Sequence, residues 1–262
     1  MKGNKHIERD ENATKIFNDR NLAKDYRNLT QILQAGITVL DIGCGTGSIS
    51  KDIANSIGSN GKVIGIDNTE SFIKSGQKSY QSVANLELIA VDLFDYNPDI
   101  KFDLIVSART LQWLSNPKEA LIKMKSLLKP NGQISILDYD HTNLVWNPSP
   151  PESMQEFYKT FLNWRQDAGM NNKIAEDLPE LLKEAGFHSI EKINSDEFYN
   201  REDSDYKSKI GIWSKVAGST QMVEEGYLDN NLRLKAIEEY DNWIENSAFS
   251  MTMKLNEVRG KL

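Results

Sequence analysis

Between Thr38 and Leu137 five short apolar runs recur: Thr38–Ile42, Lys62–Ile66, Leu86–Val91, Phe102–Val106 and Gln133–Leu137. They are rich in valine, isoleucine and leucine and do not alternate strictly with polar residues. That is the pattern of strands buried on both faces, found where helices cover a parallel sheet. Amphipathic segments separate the runs at Ser48–Ile57, Ser71–Val83 and Lys118–Leu128, the last ended by Pro130 and Gly132. Strand–helix alternation at this spacing predicts right-handed βαβ units and an α/β fold with a doubly wound, mostly parallel sheet.

The flanks read differently. The first thirty-five residues predict helix, because Ile16, Phe17, Leu22, Tyr26, Leu29, Ile32 and Leu33 recur at three-to-four spacing and Gly36 is a stop. Asn147 to Pro151 is a rigid connector, and Glu152–Ala168 follows as an aromatic-rich helix. Ile174–Ala185 predicts another helix, and Phe187–Ile193 and Ala248–Val258 predict a sixth and a seventh strand. Tyr206–Asn246 predicts helix broken near Gly218 and Gly226. The expected organisation is a single domain over 1–262. It comprises an N-terminal helical segment 1–36, a core 37–140, and helical insertions 146–171 and 205–247 on either side of the sixth strand.

Composition narrows the class. One cysteine in 262 residues excludes an internal disulfide scaffold. The polar start, with acids among its bases, is unlike a signal or transit peptide, and no apolar run approaches a membrane span. A soluble cytoplasmic protein is therefore expected, with no membrane partner. The net charge is −7, and 196–245 carries twelve acids against six bases, so the basic stripe that nucleic acid requires is missing. No His/Cys cluster has metal-ligand spacing, so no metal is expected.

The stretch that carries chemistry is Val39-Leu40-Asp41-Ile42-Gly43-Cys44-Gly45-Thr46-Gly47, where the first strand ends and a helix opens. Three alternate glycines let backbone approach a ligand closely, at the strand end where open α/β sheets bind nucleotides. The spacing G-x-G-x-G departs from the dinucleotide G-x-G-x-x-G. Asp41 would repel a pyrophosphate and attract a cation. Asp67 closes the second strand as an acceptor for ribose hydroxyls, and Asp92 with Leu93 follows the third. Three acids at neighbouring strand ends suit a ligand cationic at one end and bearing a ribose at the other.

Asp41 to Gly47, Asp67, Asp92-Leu93, the Phe102–Val106 strand and the Leu127–Gln133 turn resemble the class I S-adenosylmethionine-dependent methyltransferases, over about residues 20–140. The resemblance implies a Rossmann-like seven-stranded sheet, S-adenosyl-L-methionine as cofactor and methyl transfer to a small-molecule substrate. It implies that Gly43, Cys44, Gly45 and Gly47 pass beneath the cofactor and that Asp41 holds its amino-acid end. Asp67 would bind the ribose, and Asn68, Phe72, Asp92 and Leu93 would frame the adenine. Ala108 and Arg109 would line the sulfonium. Trp113 would be a wall beside the substrate, joined by the aromatic cover of Trp146 and Trp164. Where the acceptor must lose a proton, His141 and Tyr26 are the candidate bases. A non-catalytic cofactor-binding module and an NAD-type oxidoreductase are the competing readings. The acceptor atom and the oligomeric state are not legible.

Overall fold

The computed structural model of the protein describes residues 20–262. Its strands are β1 Thr38–Ile42, β2 Lys62–Asp67, β3 Leu86–Ala90, β4 Phe102–Ala108, β5 Leu128–Asn147, β6 His188–Asn194, β7 Glu197–Asn200 and β8 Ser250–Lys261. The helices are α1 Leu22–Asp25, α2 Ser48–Ile57, α3 Glu70–Ser79, α4 Pro117–Leu127 and α5 Glu152–Asp167. They continue as α6 Ile174–Glu184, α7 Tyr206–Ile210, α8 Ile212–Ala217, α9 Gln221–Glu224 and α10 Asn230–Asn246. The sheet order is β3-β2-β1-β4-β5-β8-β6, with β7 paired to β8. The five expected apolar runs pair in parallel, and β6 and β7 run antiparallel to β8. The expected α/β sheet is there, with one strand more than the seven expected, the four-residue β7.

Alternation along the strands sorts the core. Leu40, Ile42, Ile64, Ile66, Ile105, Ile134 and Ile136 join Leu121 and Met124 of α4 and Leu178 and Leu182 of α6 in one cluster. Val39, Val63 and Val106 alternate with these in the strands and are fully buried. Each such side chain contributes about 1.5–3 kcal/mol through burial. Contacts divide the described residues into two compact units. The sheet unit contains 20–138, 174–195 and 256–262. The helical unit contains 139–173 and 196–255, and α5 and α10 pack together within it.

Three local expectations change. Ile16 and Phe17 lie outside the described residues. Within 20–35 the expected helix is only the turn α1 and a 3-10 turn, Arg27–Gln31. Tyr26 interrupts it with non-helical backbone (φ −147°, ψ 43°) while its hydroxyl bonds to Ser135, so a tertiary contact overrides the helical period. The turn before the fifth strand is absorbed into β5 as a bulge. Its register jumps from Phe102↔Leu128 to Leu104↔Gln133, and Asn131 takes φ 64°. The helical stretch over 206–246 breaks near Gly218 and Gly226 as expected and once more at Gly211, giving four helices, the last restarted by Asp229, whose carboxylate accepts from the amides of Asn231 and Leu232.

Candidate functional site

The loop after β1 turns on left-handed backbone at Gly43, Gly45 and Gly47, with φ 71°, 58° and 77°. A Cβ on Gly43 would overlap the Thr110 side chain, and one on Gly47 would come within 2.7 Å of Leu88. The loop amides are spent on protein. Gly43 and Cys44 both donate to the Ile66 carbonyl (2.8 and 3.0 Å), and Gly47 donates to the Cys44 carbonyl (3.0 Å). Gly45 donates to Oδ2 of Asp67 (2.9 Å). With these donors engaged, the loop offers a ligand a thin wall of backbone and little of the amide nest that phosphate groups seek.

Two acids stand behind that wall. Asp41 is buried in β1 and accepts the Ser50 hydroxyl at 2.6 Å. Burial raises its pKa to about 6, nearby Asp67 adds to the rise, and Ser50 offsets part of it. Asp67, also buried, accepts from Gly45 on one oxygen and from the Thr69 amide on the other, at 2.8 Å. A carboxylate offers about four acceptor positions, so two remain. Beside them Thr46 is fully buried, and its Oγ1 has no hydrogen-bond partner. Two carboxylates, one with its pKa raised by burial, and a buried hydroxyl without a partner fit a positively charged nucleoside rich in hydroxyls. The Cys44 thiol is pushed well up by burial and by Asp41 and Asp67, so it stays protonated and is no nucleophile.

The remaining expected residues divide by unit. In the sheet unit Asn68 and Asp92 are exposed, and Asp92 accepts from the Phe94 amide at 2.9 Å. Phe72 and Leu93 are buried. Ala108 and Trp113 are half-buried. Arg109 has a structural role. It is buried on left-handed backbone (φ 58°), and its guanidinium donates to the Asp25 carbonyl at 3.0 Å. Tyr26 is tied into the protein in the same way. Its buried hydroxyl donates to the Ser135 carbonyl at 2.7 Å. Burial, then Glu257 and Asp41, raise its pKa well above 10, so it keeps its proton at neutral pH.

In the helical unit His141 is buried, with Tyr139, Phe161 and Trp213 rings at 5.4, 6.0 and 6.2 Å from its own. Burial, and secondarily Arg165, hold its pKa well below 6.5, so the imidazole is neutral and can accept a proton. Trp146 donates through Nε1 to Tyr240 (2.9 Å) and Trp164 to Glu225 (2.9 Å). Trp213 is buried with its Nε1 unpartnered, as are the Trp243 Nε1 and the Tyr206 hydroxyl, and of the three Trp213 is the one whose ring lies against His141, at 6.2 Å. The sequence singled out neither Thr46, Ser50 nor Thr110. All three follow from the loop's geometry, and only Thr46 lies inside the motif. No group of three His, Cys, Asp or Glu among the described residues could hold a metal ion. No described helix is long and apolar enough to cross a membrane.

Comparison with known proteins gives this architecture a family. The family described as "Methyltransferase domain" matches residues 33–213. A demethylmenaquinone methyltransferase of Listeria monocytogenes is 30% identical over 176 residues, covering 62% of this chain and 74% of that protein. A protein of Invertebrate iridescent virus 6, named for a methyltransferase, is 30% identical over 145 residues, covering 54% of this chain and 52% of its own length. The chain thus spans about half the length of the viral relative and about three quarters of the bacterial one. Among solved structures, phosphoethanolamine N-methyltransferase 2 of Haemonchus contortus, bound to S-adenosylhomocysteine, shares the fold. Its TM-score is 0.55 at 17% identity, covering 89% of this chain and 52% of that one. The chain belongs to the class I S-adenosylmethionine-dependent methyltransferases.

Proposed function

We propose that the chain transfers a methyl group from S-adenosylmethionine to a small, largely apolar organic acceptor. The burial of Asp41 and its raised pKa support its holding the cofactor's ammonium. Asp67 keeps two acceptor positions for ribose hydroxyls, and Thr46 has a hydroxyl to give. The glycine backbone of Gly43–Gly47 supplies the close wall, and Asn68, Phe72, Asp92 and Leu93 remain assigned to the adenine end. What the cofactor supplies when bound is an electrophilic methyl group on a cationic sulfur. The protein's share of the rate is alignment and, where the acceptor carries a proton, removal of that proton.

The acceptor side rests on the helical unit taken by itself. The observation that carries it is His141, buried, neutral and surrounded by aromatic rings, with the Trp213 indole donor unused beside it. Such surroundings favour a ring-bearing or otherwise apolar molecule with a hydrogen-bond acceptor. The relatives' named acceptors, demethylmenaquinone and a phosphorylated ethanolamine, differ too much in chemistry to decide between them. Trp113, Trp146 and Trp164 remain assigned to the substrate wall. The test is incubation with isotope-labelled S-adenosylmethionine and a metabolite extract, followed by mass spectrometry of the labelled product. With His141 as base, His141→Gln lowers kcat by roughly 10²–10⁴. The rate of the unaltered protein then stays level from neutral pH down to at least 6.5. Normal turnover of the variant removes His141 from the chemistry.

A further inference from the structure

Glu257 of β8 is fully buried, and nothing in the chemistry above uses it. Its Oε1 accepts twice, from Ser135 Oγ at 2.9 Å and from Arg259 Nε at 2.6 Å, while Oε2 has no partner. A carboxylate kept dry is costly unless it holds something in place. The sheet register shows what lies along its row. Asp41 stands opposite Gly65 and Val106, and Val106 opposite Ser135. Side chains opposite one another in register share a face, so Asp41 and Ser135 project together, and the Ser135 bond adds Glu257 to the same line.

A strap formed by residues 20–31 crosses this line. At one end the Arg20 carbonyl accepts from Ser48, the residue after the glycine loop, at 2.6 Å, and the Leu22 amide donates to Asp52 at 3.0 Å. In the middle Arg109, at the end of β4, holds the Asp25 carbonyl. At the far end Arg259 donates to the Asn28 carbonyl at 2.6 Å, and the Tyr26 hydroxyl meets Ser135 Oγ at 2.9 Å. The single Ser135 hydroxyl proton goes to Glu257, so Ser135 Oγ can only accept from Tyr26, whose one proton is shared between that oxygen and the Ser135 carbonyl.

We infer that Glu257 is a positioning residue for cofactor binding: through Ser135 and Arg259 it holds Tyr26 and the strap against the glycine-loop side of the sheet. The inference rests on the cofactor reading above. Glu257→Gln preserves the shape and removes the charge that holds Arg259. Calorimetry with S-adenosylhomocysteine on the full chain tests it, using wild type, Glu257→Gln, Tyr26→Phe and the double variant. Loss of a charge-assisted contact predicts roughly ten-fold weaker binding for Glu257→Gln. The double variant binds no more weakly than the weaker single one, since both act through the same bonds. Limited proteolysis without ligand should cut the strap faster in Glu257→Gln, with S-adenosylhomocysteine restoring protection. Should Glu257→Gln not fold, Ser135→Ala carries the same comparison. Wild-type affinity in the Glu257 variant, or multiplying losses in the double, overturns the inference. Failure of the wild type to bind S-adenosylhomocysteine overturns the cofactor reading itself.

Discussion

Asp41 shows how a single buried group makes stability depend on pH. Its folded pKa of about 6 lies above the ordinary 3.8. The folded state therefore binds the proton more tightly than the unfolded state does. The stability this confers is full below pH 3.8 and lost as the pH rises through about 6. The ionised form thus costs the fold about 3 kcal/mol at neutral pH. Asp41→Asn should raise the melting temperature at pH 8, flatten the decline between pH 4 and 6, and weaken S-adenosylhomocysteine binding. A variant less stable at pH 8 would show that the carboxylate is not under strain. Asp67 behaves differently because its two oxygens already hold Gly45 and Thr69. Asp67→Ala should weaken nucleoside binding by about 1–3 kcal/mol in calorimetry. Unchanged affinity rules the ribose assignment out.

The glycine loop is an element whose shape is set by its neighbours. Gly43 combines positive φ with a Cβ position already occupied by Thr110. Gly43→Ala should cost about 1–3 kcal/mol from backbone strain alone, with the clash added. Thermal unfolding of Gly43→Ala against Gly43→Ala/Thr110→Gly separates the two, since the second change relieves the clash and leaves the strain. Full recovery in the double variant would mean that the backbone is indifferent to φ at this position. The strands and α2 were legible because their burial is periodic and local: Ser48–Ile57 is found at the residues the pattern marks. The strap departs from the longer helix its periodicity predicts, because its course depends on Ser48, Asp52, Arg109, Ser135 and Arg259, residues far away in sequence.

At the scale of the molecule, contacts separate a sheet unit from a helical unit, and the residues proposed to hold the cofactor lie in the first. Anything that binds only the folded state stabilises it by mass action, about 2.7 kcal/mol at one hundred times Kd. Hydrogen exchange with S-adenosylhomocysteine should therefore slow first in 39–52, 64–72 and 107–112. Protection appearing instead in α10 alone would place the nucleoside in the other unit. The sequence by itself determined the strand order's parallel core, the glycine turn and the acids at successive strand ends. These depend on period, glycine and charge at short range, which a chain displays before it folds. Only the tertiary structure decided that the loop amides are already engaged, that Tyr26 and Arg109 brace a strap, and that Glu257 joins the row of Asp41. Those facts are set by which distant side chains burial brings within hydrogen-bond reach, and no local pattern encodes that.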